Sequence, residues 1–304
     1  MLGWNNSGLT TGNLSNLIKY NVSLVVTLAG IASGLVVEGQ KMSHSIVGKF
    51  VTTRVSPAEL VLACVVTLVL FLVLTIVKIP VSLSNCVVGS FAGVVLASGG
   101  SISVGFSAEI AASWIFAPFL CAGLAALIYE LVIRGEGLFS LSSITWINRL
   151  TLVGGVFYIS YALGANNLGF ILSLVKVGAG AMSSNSTLTE LEAALFVSLG
   201  VGTILFGRSI AKVVGDKIVG LTQIKTLSAI LGAATMTWAF TQLAVPVSLT
   251  QLVIGGMLGA GLTRGPDVVN NHEVFVMVRD WILVTILCLF VGYATEWLIS
   301  LLPP

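Results

Sequence analysis

Charge is what this sequence lacks. Only 9% of its 304 residues are Asp, Glu, Lys or Arg, where a soluble globular chain carries roughly 25%. Fourteen basic and 12 acidic side chains cannot cover a water-facing surface of this size, which excludes soluble enzymes and binding modules. The net charge of +2 supplies no field for nucleic acid, so no nucleic-acid partner is expected. Histidine is nearly absent: His44 and His272 lie in polar loops without partner spacing, and neither H-E-x-x-H nor a nucleophile–base set occurs. No enzyme, metal or resident cofactor is expected. The four cysteines, Cys64, Cys86, Cys121 and Cys288, show no C-x-x-C or Cys/His spacing and sit in apolar runs. They read as small apolar helix residues, which excludes a disulfide scaffold. Residues Met1 to Asn16 are polar and glycine-rich, so no cleavable signal peptide is expected there.

What is present is hydrophobic length. Hydrophobic residues make up 56% of the chain and mean hydropathy is +1.05. Apolar segments run over 20–37, 59–79, 107–133, 147–165, 190–206, 222–243 and 274–301. Several approach the ~20 residues that cross a bilayer core. Three shorter ones, 81–98, 168–181 and 247–262, fit re-entrant or broken helices better than clean spans. The expected fold is all-α, a polytopic protein of the cell membrane with the lipid bilayer as its solvent. Lys and Arg fall on both faces of any alternating arrangement, so orientation stays open. The 33 glycines suit close helix–helix approach in lipid.

An internal repeat organises the chain. G-W-N-N-S-G at Gly3–Gly8 recurs as G-A-N-N-L-G at Gly164–Gly169, 161 residues on. P-V-S-L-S-N-C-V-V-G at Pro80–Gly89 matches P-V-S-L-T-Q-L-V-I-G at Pro246–Gly255, offset 166, and Trp114 matches Trp281 at offset 167. G-Q-K-M-S-H-S-I-V-G-K at Gly39–Lys49 similarly pairs with Gly207–Lys217. An insertion near Ser183–Thr189 reconciles the offsets. Two transmembrane repeats follow, 1–146 and 147–304. Duplicated halves with matched interrupted segments point to a transporter whose substrate sits between them near the midplane. Alternating access would rock or gate one half against the other, with Gly39 and Gly207 as flexible points or as tight packing positions.

The repeated motifs carry matching chemistry. In P-V-S-L-[ST] a proline is followed by hydroxyls at Ser82 and Ser84, and at Ser248 and Thr250 in the second copy. Free N–H groups at a helix start plus hydroxyl donors make an anion cradle; ordinary helix N-capping is the plain alternative. The amides of Asn5, Asn6, Asn166 and Asn167 lie in otherwise apolar stretches, where an unpartnered amide is costly. They can ligate a small cation, donate to an anion, or clamp helices together.

On these motifs, in this order over essentially the whole chain, the sequence resembles the PiT family of inorganic phosphate transporters, whose halves carry G-A-N-D and P-[IV]-S-x-[ST]. The resemblance implies inverted repeats, a phosphate or sulfate ion held by Ser82, Ser84, Ser248, Thr250, Asn5 and Asn166, and a cation region at Asn6 and Asn167. It also implies coupling to sodium or protons and a homodimer. Two departures bear on coupling. The aspartates of G-A-N-D are Asn6 and Asn167, which cannot take a proton or neutralise a cation. The further asparagine of the family motif is Leu9 in one half and Phe170 in the other. A sulfate permease of the same fold, or an uncoupled anion channel, stands as the alternative. A third departure is at the start: Gly164 follows an apolar half-helix whereas Gly3 follows two residues, so either the true start lies upstream of Met1 or that half-helix is lost. Glu109 and Asp280 open corresponding helices and are expected to be interfacial, Asp280 pairing with Arg279. Lys176 could attract the anion, and is expected to snorkel to the interface.

Overall fold

A computed structural model describes residues 6, 20–46, 49–77, 81–136, 141–178, 190–205, 222–263 and 271–302. The described elements are helical throughout. They are α1 (Tyr20–Ile46), α2 (Pro57–Ile76), α3 (Leu83–Ala97), α4 (Val104–Glu136), α5 (Leu141–Leu163), a π-helical turn (Gly164–Leu168), α6 (Gly169–Gly178), α7 (190–205), α8 (Gln223–Gln242), α9 (Leu249–Leu262) and α10 (Asn271–Ser300). One isolated antiparallel bridge, Val51 to Ile102, ties the approaches to α2 and α4.

Among the described residues five stretches are long and apolar enough to cross a membrane: Tyr20–Met42, Pro57–Ile76, Val104–Gly135, Leu150–Lys176 and Val278–Ser300. The segment 222–243 forms α8, which carries the hydroxyls of Thr226, Thr237 and Thr241 into the interior of the bundle. Outward faces are apolar, with Phe116, Phe119, Leu127 and Phe290 more than half exposed. This is the inverse of a soluble fold, as lipid contact requires.

The segments 81–98 and 247–262 are the short helices α3 and α9, α3 buried along almost its whole length and α9 over most of it. The segments 147–165 and 168–181 join into one broken helix: α5 passes through the π turn at the Asn-Asn motif straight into α6. π insertions of this kind often mark functional sites because they re-aim side chains within a continuous helix.

The repeats interlock. The short helix α3 packs on the long helix α10 of the other repeat, and α9 packs on α4. Each contact runs over a G-x-x-x-G pair at matched positions, Gly89/Gly93 and Gly255/Gly259. A Cβ at Gly93 would overlap the Leu289 carbonyl, and one at Gly259 the Ala122 carbonyl. Small residues let the backbones meet where lipid offers no hydrophobic drive for association. A third close seam joins α1 to the broken helix: a Cβ at Gly34 would overlap the Tyr161 carbonyl, and Gly39 lies against Gly169. Gly39 is thus a mid-helix packing position, while Gly207 lies outside the described residues.

Candidate functional site

The starts of α3 and α9 converge on the π turn. Ser82 and Ser248 are the helix N-caps, their hydroxyl oxygens accepting from Asn85 N (3.4 Å) and Gln251 N (3.3 Å). The plain reading of these serines therefore holds, and it leaves each hydroxyl proton to give. Ser84 Oγ accepts from Asn167 Nδ2 at 2.9 Å, and Thr250 Oγ1 donates to Asn6 Oδ1 at 3.2 Å. Six of the eight expected residues are thus joined through these contacts or through the strand-like lead Val245–Ser248: Ser84, Ser248, Thr250, Asn6, Asn166 and Asn167. Ser82 caps the same helix as Ser84. Asn5 lies outside the described residues.

The two asparagines of the π turn do different work. Asn166 is a clamp. Its Nδ2 donates to Val245 O (3.1 Å) and Thr241 Oγ1 (3.1 Å), and its Oδ1 accepts from Val247 N (3.1 Å). An amide side chain here does for the lead into α9 what a neighbouring strand would do. That lead begins with Ala244 at φ 56, a left-handed turn that reverses the chain after α8. Asn167 Nδ2 donates to Val247 O (3.0 Å) as well as to Ser84, so it touches both half-helix leads. Its Oδ1 is buried with no hydrogen-bond partner among the described residues. A buried acceptor without a donor costs about 1–3 kcal/mol, which a substrate or ion at that point would recover.

A second polar group flanks the first. Glu38 of α1, buried, takes Lys41 Nζ at 2.7 Å and Gln242 Nε2 at 3.2 Å, and Lys41 also donates to Gln242 Oε1 at 2.6 Å. Tyr161 of α5 lies beside the same carboxylate. Glu38 is one helical turn from Met42, whose sulfur lies 3.7 Å from Asn166 Nδ2, and Gln242 follows Thr241. The cluster therefore borders the Asn166 clamp. Sequence reasoning missed it, although a lone acid at the end of the apolar run 20–37 was a usable signal.

The remaining charged residues are placed more plainly. Asp280 pairs with Arg279 at 2.8 Å and Glu109 is exposed. Lys176 does not snorkel: it is 5% exposed and interacts with Glu192 of α7, because α7 covers the end of α6 where a free interface was expected. The side chains of His44 and His272 lie outside the described residues. Lys225, also unforeseen, is buried with Nζ 3.1 Å from Gly261 O at the end of α9 and 5.7 Å from the Tyr129 ring. Three of the four cysteines are buried, and Cys121 donates to Leu252 O at 3.1 Å.

Comparison with known proteins places this architecture. The model of the phosphate transporter family matches the chain twice, over 9–144 and 140–292. The chain belongs to the phosphate transporter family. It is accordingly a multi-pass membrane protein built of two repeats with broken and re-entrant helices. A protein named as a phosphate permease in Methanocaldococcus jannaschii is 26% identical over 76% of this chain and 72% of its own length. A protein of Bacillus subtilis named as a low-affinity inorganic phosphate transporter is 26% identical over 67% of this chain and 63% of its own. A sulfate permease of Bacillus subtilis is 23% identical over 90% of this chain and 77% of its own. The solved structure of a sodium-dependent phosphate transporter shares the fold, with a TM-score of 0.79 over 99% of this chain and 96% of that one, at 17% identity.

Proposed function

We propose that this member of the family carries inorganic phosphate across the bilayer by alternating access, with the anion held between the starts of α3 and α9 and the π turn. Two helix N-termini present positive dipole ends and, beyond the one N–H that each serine caps, further first-turn N–H groups, which suit an oxyanion. Ser82, Ser84 and Ser248 add hydroxyl protons, since each uses its oxygen to accept.

One observation carries the choice of phosphate: the buried, unpartnered Oδ1 of Asn167 beside Ser84. Monohydrogen phosphate brings a proton that this acceptor can take, and sulfate brings none. A site built to accept such a hydrogen bond rejects the analogue that lacks it, because the buried acceptor stays unpaired. Sulfate is the second reading. It is favoured by the neutral amides at Asn6 and Asn167, and by the sulfate permease relative that aligns over 90% of the chain. Coupling to sodium belongs to the proposal through the oxygen of Asn6, since that of Asn167 is assigned to the phosphate proton, as does assembly as a homodimer. Neither the Asn6 nor the Asn167 amide can carry a proton, so coupling to protons would have to use another group.

The test is uptake of labelled phosphate into proteoliposomes, with sulfate as competitor and sodium and proton gradients imposed in turn. Saturable phosphate uptake, driven by a gradient and little affected by equimolar sulfate, is expected. Displacement by sulfate would transfer the assignment to sulfate. Flux that neither saturates nor follows a gradient would make the protein an anion channel.

A further inference from the structure

Glu38 takes no part in the anion cradle, yet among the described residues it is the one buried acid. It lies within the span Tyr20–Met42, where an ionisable side chain is costly and is a functional candidate by default. On its inner side stands the clamp: Met42 reaches Asn166, and Gln242 follows Thr241, which Asn166 also holds. On its outer side Lys41 and Gln242 are exposed. Among the described residues the titratable groups that face it are Lys41 of its own helix and Tyr161 of α5, with Tyr158 beside the latter. The other neighbouring elements present neutral groups: Gln242 from α8, Asn166 from the π turn and Gly169 from α6. Lys176 of α6 is engaged with Glu192 of α7.

The bonds around Glu38 are those of a carboxylate. Lys41 Nζ donates to Oε1 at 2.7 Å, and Gln242 Nε2 lies 3.2 Å from both oxygens. Gln242 Oε1 accepts from Lys41 at 2.6 Å, which closes the ring. A proton placed on Glu38 removes the charge that holds Lys41. It also turns one oxygen into a donor facing Lys41 and the Gln242 nitrogen, neither of which can accept. Rotation of the Gln242 amide brings its oxygen to the new O–H, and that oxygen then leaves Lys41. Protonation of Glu38 and release of Lys41 are therefore one event. The Lys41 side chain is 47% exposed, so its pairing is screened by water and easily exchanged.

We propose that Glu38 and Lys41 form the pair through which a proton accompanies the anion. Phosphate reaching the outer side of the clamp takes Lys41 from Glu38, and Glu38 takes one proton from the water on that side. The anion gains a cationic partner, and no uncompensated carboxylate is left buried. Each ligand makes room for the other, so the two bind with positive and reciprocal coupling. When access has changed the order reverses: phosphate departs, Lys41 returns to Glu38, and the proton goes to water on the opposite side. This inference rests on the phosphate reading above. It uses a group separate from Asn6, to which sodium is assigned.

The experiment uses the full chain in proteoliposomes with labelled inorganic phosphate, no sodium, and a pH gradient that is alkaline inside. Two readouts are taken: accumulation above equilibrium, and exchange of external for internal phosphate with no gradient. The parent chain should exchange phosphate and accumulate it at least fivefold. Glu38→Gln keeps the shape of the side chain and cannot take up a proton; it should still exchange phosphate but not accumulate it. Lys41→Met should raise the phosphate KM at least fivefold, with an unfolding temperature within about 3 °C of the parent chain, as for an exposed site. If Glu38→Gln does not fold, Lys41→Met decides alone. Accumulation by Glu38→Gln equal to that of the parent chain would put the proton on the phosphate itself and overturn the proposal. So would an unchanged KM in Lys41→Met. A parent chain that exchanges phosphate but ignores the pH gradient would overturn this inference and leave the phosphate reading standing. A parent chain that takes up no phosphate at all would end both.

Discussion

The adjacent asparagines of the π turn should fail in different ways when truncated. In Asn166→Ala two backbone groups in the lead to α9, Val247 N–H and Val245 C=O, lose their amide partner in a buried setting. At about 1–3 kcal/mol for each orphaned group the loss is about 2–6 kcal/mol. The Thr241 hydroxyl adds little, since it still donates to Thr237 O at 2.8 Å. In Asn167→Ala only Val247 C=O loses a backbone-directed bond, and an unpartnered acceptor is removed at the same time. Its net cost is therefore near the low end, about 1 kcal/mol. Thermal unfolding in one fixed detergent would read the difference. At about 2 °C per kcal/mol, Asn166→Ala should unfold about 4–12 °C below the parent chain and Asn167→Ala within about 3 °C of it. The uptake assay should single out the other variant: Asn167→Ala folds but takes up phosphate at least tenfold more weakly and discriminates less against sulfate. Equal destabilisation by the two variants, or unchanged phosphate affinity in Asn167→Ala, would refute the division into clamp and ligand.

Replacing Gly93 or Gly259 by Ile should be comparably damaging, because each forces a side chain into a carbonyl of the opposite repeat; overpacking typically costs about 1–3 kcal/mol, and the yield of folded protein from membranes checks it. Lys225→Met removes the bond to Gly261 O and the contact with Tyr129, and should lower the unfolding temperature by a few degrees without changing the phosphate KM. For the Glu38–Lys41 pair, a double-mutant cycle with Glu38→Gln and Lys41→Met should give a coupling under about 1 kcal/mol, since the Lys41 side chain is 47% exposed and water screens it. Thr250→Val leaves the Asn6 amide oxygen without its hydroxyl donor, and should raise the phosphate KM several-fold while leaving the unfolding temperature within about 2 °C.

Most of the architecture was legible because membrane physics writes itself into sequence. Low charge, apolar length and the offset of 166 between Pro80 and Pro246 together point to a duplicated helical bundle, and the three short apolar segments point to its interrupted helices. The site was legible to the extent that it repeats. Ser84, Thr250, Asn6 and Asn167 could be chosen because both copies put polar groups in apolar surroundings. What could not be read was the use of each polar atom. Asn166 and Asn167 are chemically identical neighbours, and only the position of Val245–Val247 makes one a clamp and leaves the other with a spare acceptor. Lys176 was misread because its cover, α7, comes from a separate apolar segment.

The interlocking of the repeats also constrains how the site can change its access. A motion that swung one sequence repeat as a body against the other would drag α3 off α10 and α9 off α4. Those are the seams where glycine lies on carbonyl and no side chain can slide past. Polar bonds cross between the repeats as well: Asn85 to Trp281 O, and Trp114 Nε1 to Pro246 O at 3.2 Å. Each joins a half-helix or its lead in one repeat to a tryptophan of the other, at positions that the offsets of 166 and 167 make equivalent. The units that can stay rigid are therefore mixed pairs, α3 with α10 and α9 with α4. The proposed anion site lies where the two pairs meet the π turn, and the hydrogen bonds of Asn167 to Ser84 and Val247 bridge both half-helix leads there. Cys86 and Cys288 are neighbours in the core across the α3–α10 seam. Cross-linking them should accordingly leave phosphate uptake intact, whereas a cross-link between Ser84→Cys and Val247→Cys, made with the native cysteines replaced by alanine, should stop it. Loss of uptake with both cross-links would mean that the sequence repeats themselves are the moving bodies, since each cross-link joins residues of different repeats.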